Sequence, residues 1–243
     1  MAGNPYTDSG EKFQIPDMLA NRADVYNLGD VIGGSDHLFK LRLLENSIVE
    51  NPYLQKVAAK SFTDFYNLVD YVETKSETLP DLEGNHTQQD VDDFTVVVRN
   101  SLIIRNIVLK VNQNYIASAA TQDAYRIEPA FKLQGSYRNM NKMISQIVPL
   151  MNEQEVRELI LTHYESESQT LTADTEANLL KLKEIAGFLT KEDKERWQHI
   201  REVFNKNNKF AGIDQNNQTG QVIAQLAEFN DNLEGIKKAI SKK

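Results

Sequence analysis

The sequence predicts a mainly α-helical fold, and three observations lead to this prediction. In several segments after residue 35, apolar residues recur every three or four positions, which is the spacing of one face of an α-helix. Several of these segments follow a Ser, Thr or Asn with Asp or Glu three positions later, a common start of a helix. Residues 24–32 are almost the only candidate for a β-strand, and a lone strand cannot satisfy its own backbone groups. This strand indicates that the first part of the chain comes from a larger sheet.

Two helices are predicted before a loop at 76–86. The first runs from Ser35 to the Asn-Pro pair at 51–52, which is expected to stop it. The second begins at Ser61, which has the spacing of a capping box with Asp64.

The third predicted helix is the longest. It begins at Thr87, which has Asp90 three positions later, and runs to about Ala120. Its middle is apolar on nearly every side, so we expect a central helix that packs against several others.

The second half of the chain is also predicted to be helical. After Pro129 breaks the chain, a helix is expected from Ser136 to Val148. Apolar spacing and cap residues predict further helices at about 152–164, 179–189, 190–204 and 221–240. Residues 205–219 are rich in Asn, Gln and Gly, which predicts a loop or linker. The apolar stripe of the last helix is expected to dock on the bundle, and binding to a partner helix is the alternative.

Composition excludes several classes of protein. Among 243 residues, 27 Lys and Arg stand against 35 Asp and Glu, which gives a net charge of −8. Such a chain repels a phosphate backbone, so direct nucleic-acid binding is not expected. The sequence has no apolar run of membrane-spanning length, no signal-peptide pattern, and no cysteine for disulfides or thiolate metal sites. These features favour the cytoplasm.

The histidines are not expected to form a metal site. His163 lies one helical turn from Glu167, and His199 lies one turn from Glu195. Two ligands are too few for a metal site, and polar pairs on exposed helix faces are far more common. Trp197 lies on a helical stripe and is expected in the core.

The sequence lacks the first half of a nucleotide-hydrolysing site. A phosphate-binding loop needs a lysine directed at the phosphates, and the nearest match, which spans 29–35, has none. Asp92 and Asp93 precede an apolar run instead of following an apolar strand, so they are interpreted as first-turn charges of a helix. By itself the chain is not expected to hydrolyse ATP.

Two stretches that lie far apart match the second half of such a site. The first contains an Asn-Pro pair at Asn4, a Phe-x-Ile-Pro segment, and Arg22 six residues after that proline. The second, Gly-Ser-Tyr-Arg, ends at Arg138. Together they resemble the second half of the ATP site in AAA+ ATPases of the MoxR branch. The resemblance implies that Asn4 is the sensor-1 residue, Arg22 the arginine finger for a neighbouring subunit, and Arg138 the sensor-2 arginine on the lid.

More segments extend this resemblance up to about Trp197. They lie at 15–24, 44–52, 116–120, 133–142 and 175–180. These segments resemble the C-terminal part of large bacterial MoxR-type proteins, which are commonly labelled DNA repair ATPases. The resemblance implies three parts: the tail of an α/β ATPase core at 1–34, a helical lid at 35–150, and a C-terminal helical extension at 151–243.

The same resemblance implies a mechanism for the intact protein. ATP with Mg²⁺ lies between core and lid, neighbouring subunits form a ring-like homo-oligomer, and lid movement remodels a protein client. The phosphate loop and the acidic strand are expected upstream of Met1, so this chain is expected to be a C-terminal fragment or split product without turnover.

Each assignment has an alternative. Arg22 also fits a surface arginine paired with Asp17 or Asp24, and Asn4 fits a turn-forming residue before proline. Arg138 also fits an arginine bound to a neighbouring carboxylate. For the chain as a whole, the alternative is a non-enzymatic helical interaction or adaptor protein.

Overall fold

The computed structural model describes Glu11, Gly34 and residues 36–210, with side chains to residue 208. These residues form eight α-helices and two short 3-10 turns, and no β-strand occurs among them. The helices are α1 (Asp36–Glu45), α2 (Pro52–Lys60), α3 (Phe62–Thr74), α4 (Gln88–Ala120), α5 (Tyr137–Ile144), α6 (Glu153–Ser168), α7 (Thr175–Ala186) and α8 (Lys191–Phe210). The prediction of a mainly α-helical fold is confirmed. The predicted strand at 24–32 and helix at 221–240 lie outside the described residues.

Helix α4 is the centre of the bundle, as its all-round apolar middle predicts. Its 33 residues make a rod of about 50 Å at 1.5 Å per residue. Helices α1, α2, α3, α5, α6 and α7 all pack against it. The predicted cap is confirmed, because the Thr87 hydroxyl accepts from the amide of Asp90 and the Asp90 carboxylate accepts from the amide of Thr87.

One hydrophobic core joins α1 through α7. Side chains from both sides of residue 150 contribute to it, including Phe94 and Val108 of α4, Ile160 of α6 and Leu182 of α7. The division of the chain into three parts stays a prediction. A smaller cluster, in which Trp197 of α8 is buried against Ala177 and Leu180 of α7, attaches α8 to the bundle.

The Asn-Pro pair at 51–52 begins a helix that the sequence interpretation missed. Helix α1 ends at Glu45, a 3-10 turn spans Ile48–Glu50, and α2 then starts at Pro52. The Asn51 side chain accepts hydrogen bonds from the amides of Tyr53 and Leu54, and Pro52 occupies the first helical position, where its missing N–H costs nothing. Asparagine and proline therefore act here as a start signal.

The capping box expected at Ser61 forms only in part. The Ser61 hydroxyl accepts a 3.3 Å hydrogen bond from the amide of Asp64, as predicted. The Asp64 carboxylate, however, turns into the protein and accepts from the amides of Glu83 and Gly84. The local pattern predicts that this carboxylate caps the helix, but in the structure it binds the loop at 76–86 instead.

Two of the helix ends that differ from prediction lie beside long-range hydrogen bonds. Helix α5 ends at Ile144, short of Val148, because the Asn51 amide donates to the carbonyls of Ile144 and Ile147 at 2.8 and 2.9 Å. Helix α8 continues to Phe210, through the first residues of the predicted linker. There, Asn208 donates to the carbonyls of Asp123 and Arg126.

Within the described residues, none of the helices has both the length and the apolar character needed to cross a membrane.

The caps predicted at Asn152 and Thr190 are both present, each with reciprocal bonds to the acidic residue three positions later.

Candidate functional site

A cleft of about 570 Å³ lies at the start of α5, and we call it the α5 cleft. Side chains of both charges line it, among them Lys132, Arg138, Lys142 and Glu167. Three cations against one carboxylate make the lining positive, in contrast to the acidic chain as a whole. The α5 cleft is therefore suited to an anion.

Gly135 brings the chain close enough to α4 to form this cleft. A Cβ atom at this position would lie 2.1 Å from the carbonyl oxygen of Val108 and 2.5 Å from the amide nitrogen of Asn112. Both are backbone atoms of α4, which cannot move aside as a flexible side chain can. Glycine is thus required where the extended segment after residue 129 passes over α4 and turns into α5.

The same segment is tied to α7. The amide of Lys132 donates to the Asn178 side chain at 2.6 Å, and the Asn178 amide group donates to the carbonyl of Ala130. The ammonium group of Lys132 lies 3.6 Å from the Asp174 carboxylate at the start of α7. One wall of the α5 cleft is therefore fixed to both α4 and α7.

Arg138 lies in the first turn of α5, on the exposed side of the cleft. Its Nε donates to the Tyr137 hydroxyl at 3.4 Å, and its guanidinium carbon lies 5.8 Å from the centre of the Tyr137 ring. The hydrogen bond to Tyr137 raises the pKa of Arg138 above its usual value. Among the described residues no carboxylate lies within ion-pair distance of Arg138, so the alternative of a neighbouring carboxylate has no support in this part of the chain.

Two residues that line the α5 cleft, Asn139 and Glu167, form a polar group with His163 of α6. The Nδ2 of Asn139 lies 3.1 Å from Nε2 of His163, which in turn lies 3.6 Å from the Glu167 carboxylate. Burial lowers the pKa of His163, and the positive charge of Lys142 lowers it further. Burial raises the pKa of Glu167 in spite of the Asn139 amide and Lys142, which favour its ionised form. The sequence indicated the His163–Glu167 pair but gave no sign of Asn139.

Of the three predicted site residues, Arg138 belongs to the described part of the chain. Arg138 lies on the cleft, while Asn4 and Arg22 lie outside the described residues. Their convergence on one nucleotide stays a prediction.

A second polar site, formed by Asp64 and His86, was not predicted from the sequence. Nε2 of His86 lies 2.8 Å from the Asp64 carboxylate, and both side chains are buried. The His86 ring packs edge-on against Phe94 of α4, with 5.5 Å between ring centres. A Cβ atom on Gly84 would lie 2.5 Å from the His86 ring, so this glycine provides the space for the pair. Because both side chains are buried, the Asp64–His86 pair links the loop to the helices and has no open side for a substrate.

No group of three or more His, Cys, Asp or Glu residues suitable for a metal occurs in the part of the chain that the structure describes.

No protein-family model matches the sequence, and searches of curated proteins and of solved structures found no match either. The α5 cleft and the resemblance of the motifs are thus the two features of this chain that bear on its function.

Proposed function

We propose that this chain is the C-terminal helical module of a MoxR-like AAA+ ATPase, in which the α5 cleft faces the phosphates of ATP. The upstream core supplies the phosphate loop and the Mg²⁺ site, and this chain supplies Arg138 and, from residues outside the described part, Asn4 and Arg22. ATP binding and hydrolysis then move the helical module against the core and remodel a protein client. Without that core, the chain has no turnover.

The position of Arg138 is the observation that carries this proposal. Its guanidinium is exposed, has no carboxylate partner among the described residues, and shares a cleft with two lysines. A guanidinium presents several N–H donors in a fixed plane, which suits phosphate oxygens. The cleft volume of about 570 Å³ also falls within the usual range for small-molecule sites.

A nuclear magnetic resonance titration with MgATP tests the cleft in the chain as it stands. We expect saturable amide shifts concentrated at residues 132–142 and 163–171. Arg138→Ala should weaken binding about 10- to 100-fold, the value of a charge-assisted hydrogen bond. Arg99→Ala is the matched control, because Arg99 is an exposed arginine on α4 that is not part of the cleft lining. Equal loss in both variants, or shifts away from the cleft, contradicts the proposal.

The assignment of Arg22 is tested by adding the polypeptide that carries the phosphate loop. Arg22→Ala should then lower the ATPase rate by about 10³- to 10⁵-fold, the effect of an arginine finger. Circular dichroism must show that the variant keeps its helices. An unchanged rate in a folded variant removes the finger assignment.

A non-enzymatic interaction protein is the second candidate, and exposed apolar residues favour it. Leu150 is 94% exposed and Val49 is 72% exposed, and Val148 is exposed as well. Their segments are held together by the hydrogen bonds from Asn51 to the carbonyls of Ile144 and Ile147. Exposed apolar side chains on neighbouring segments offer contacts to another protein, and a contiguous apolar patch is typical of such a surface. If MgATP fails to bind even with the upstream core present, this candidate replaces the first.

A further inference from the structure

The cap of α5 and the His163 imidazole share one residue, Asn139. The amide oxygen of Asn139 accepts from the backbone N–H of Ser136 at 3.2 Å, and the Ser136 hydroxyl donates to the same oxygen. The Ser136 hydroxyl oxygen accepts from the backbone N–H of Asn139, which completes a capping box. The amide nitrogen of Asn139 then lies 3.1 Å from Nε2 of His163 on α6.

These contacts determine which nitrogen of His163 carries its proton. The Ser136 N–H can only donate, so the oxygen of the Asn139 amide must face it and the NH₂ group must face His163. Because an NH₂ group only donates, Nε2 of His163 must accept. His163 is therefore neutral, with its proton on Nδ1.

We propose that Asn139 and His163 form a proton-sensitive latch that holds the first turn of α5 to α6. When Nε2 of His163 gains a proton, two donor groups face each other, and the contact with Asn139 is lost. The imidazolium then turns toward the Glu167 carboxylate, 3.6 Å away in the closed state. Asn139 either breaks its bond to Ser136 or loses its support from α6, and the first turn of α5 loosens.

The charged groups around His163 favour the closed latch at neutral pH. Lys142 faces the imidazole from α5 and disfavours a second positive charge, as burial does, so that the pKa of His163 lies below its usual value. Glu167 on the same helix acts in the opposite sense, and the ring of Tyr164 packs edge-on at 5.3 Å. Helices α4 and α7 also pack against α6. Among the described residues, no charged side chain of α4 or α7 shifts the pKa of His163. The latch is thus closed at neutral pH and opens as the pH falls through the pKa of His163.

The latch connects to the α5 cleft because Arg138 lies in the turn that it holds. Opening loosens the first turn of α5, so the guanidinium of Arg138 loses its fixed position in the α5 cleft as the pH falls. The latch works in the chain alone and does not depend on the binding of ATP.

Nitrogen chemical shifts of the His163 ring test the closed state directly. At about pH 7.5 the ring should be neutral, since the usual histidine pKa lies about one unit lower. Because Nε2 accepts from Asn139, we expect the proton of the neutral ring on Nδ1. A proton on Nε2 at this pH overturns the proposal without the need for any variant.

Hydrogen exchange then tests the opening between about pH 7.5 and 4.5, a range that spans the titration of histidine. After correction for the intrinsic pH dependence of exchange, protection of the Asn139 and Met140 amides should fall about 5-fold, which corresponds to the loss of a helix cap. The fall should follow the titration of His163 and should persist in Glu167→Gln, which removes the other titrating group. Protection that is constant across the His163 titration overturns the proposal.

Two substitutions separate the latch from simple packing. Asn139→Asp keeps an oxygen for Ser136 and offers a second oxygen to the imidazolium, so the pKa of His163 should rise above its usual value and low pH should no longer reduce protection. His163→Gln offers an acceptor that does not titrate, so the protection of α5 should become independent of pH in this range. If His163 keeps a lowered pKa in Asn139→Asp, or His163→Gln retains the pH dependence, the latch is wrong.

Discussion

Nε2 of His86 donates a 2.8 Å hydrogen bond to the Asp64 carboxylate in a part of the protein that solvent does not reach. A carboxylate only accepts, so His86 carries a proton on Nε2. The amides of Glu83 and Gly84 donate to the same carboxylate. Asp64, at the start of α3, therefore fixes the far end of the loop at 76–86, which follows the last residue of the same helix.

We first predict that Asp64→Asn destabilises the protein by about 1–3 kcal/mol, because one oxygen is replaced by a donor that faces other donors. Urea denaturation measures this loss. Asp70→Asn is the control, since Asp70 is exposed on the same helix. A similar small change in both variants would show that the loop does not depend on the Asp64 carboxylate.

The contribution of Asp64 should also depend on pH. Burial by itself raises the pKa of Asp64, but the hydrogen bonds from Glu83, Gly84 and His86 outweigh it and hold the pKa below its usual value. A lowered pKa means that the stabilisation is present above the unfolded pKa and is lost as the pH falls through the folded pKa. The stability difference between wild type and Asp64→Asn should therefore shrink below about pH 4, and a difference that grows there contradicts this assignment.

Asn51 should be more sensitive to substitution than an ordinary cap residue. Its oxygen caps α2, and its NH₂ group donates to the carbonyls of Ile144 and Ile147. Asn51→Ala should cost about 2–4 kcal/mol, since it removes a cap and leaves buried carbonyls without a donor. Asn51→Ser keeps a capping oxygen and should recover about 1 kcal/mol of this loss in the same denaturation measurement. Full recovery in the serine variant would mean that the link to α5 contributes nothing.

Gly135 and Gly187 should respond differently to alanine. Gly187 ends α7 with φ of 77° and no atom near its Cβ position, so Gly187→Ala should cost only the strain of the left-handed backbone, about 1–2 kcal/mol. At Gly135 the added atom meets the backbone of α4, so Gly135→Ala should be the more destabilising of the two and should also shift the amides of α5. Thermal unfolding ranks the variants, and the reverse order contradicts the close packing of residue 135 on α4.

The hydroxyl of Tyr164 should contribute no stability. It is buried without a hydrogen-bond partner among the described residues, and burial raises its pKa. Tyr164→Phe should therefore leave stability unchanged or increase it by about 1–2 kcal/mol. Tyr66→Phe is the contrasting variant, because the Tyr66 hydroxyl donates to Glu45 at 2.7 Å and its loss should cost about 1 kcal/mol. A marked loss of stability in Tyr164→Phe would indicate a partner for that hydroxyl.

Local patterns along the chain were enough to predict the helical fold and several helix starts. A cap such as Thr87 with Asp90, and an apolar run such as that of α4, act over one or two turns, so local spacing is enough to predict them. The sequence also identified Arg138 as a candidate ligand for phosphate, and the structure places this side chain on a positive cleft.

The partners of the polar groups that bind across the fold became apparent only in the folded structure. Asp64 has the spacing of a local cap, but its carboxylate binds residues about 20 positions away, and Asn51 binds carbonyls more than 90 positions away. The contact of Asn139 with His163 likewise joins two helices. A buried polar group takes whichever partner the packing brings to it, because leaving it unpaired is costly. Sequence spacing describes only the neighbours along the chain, and these partners became neighbours when the helices packed around α4.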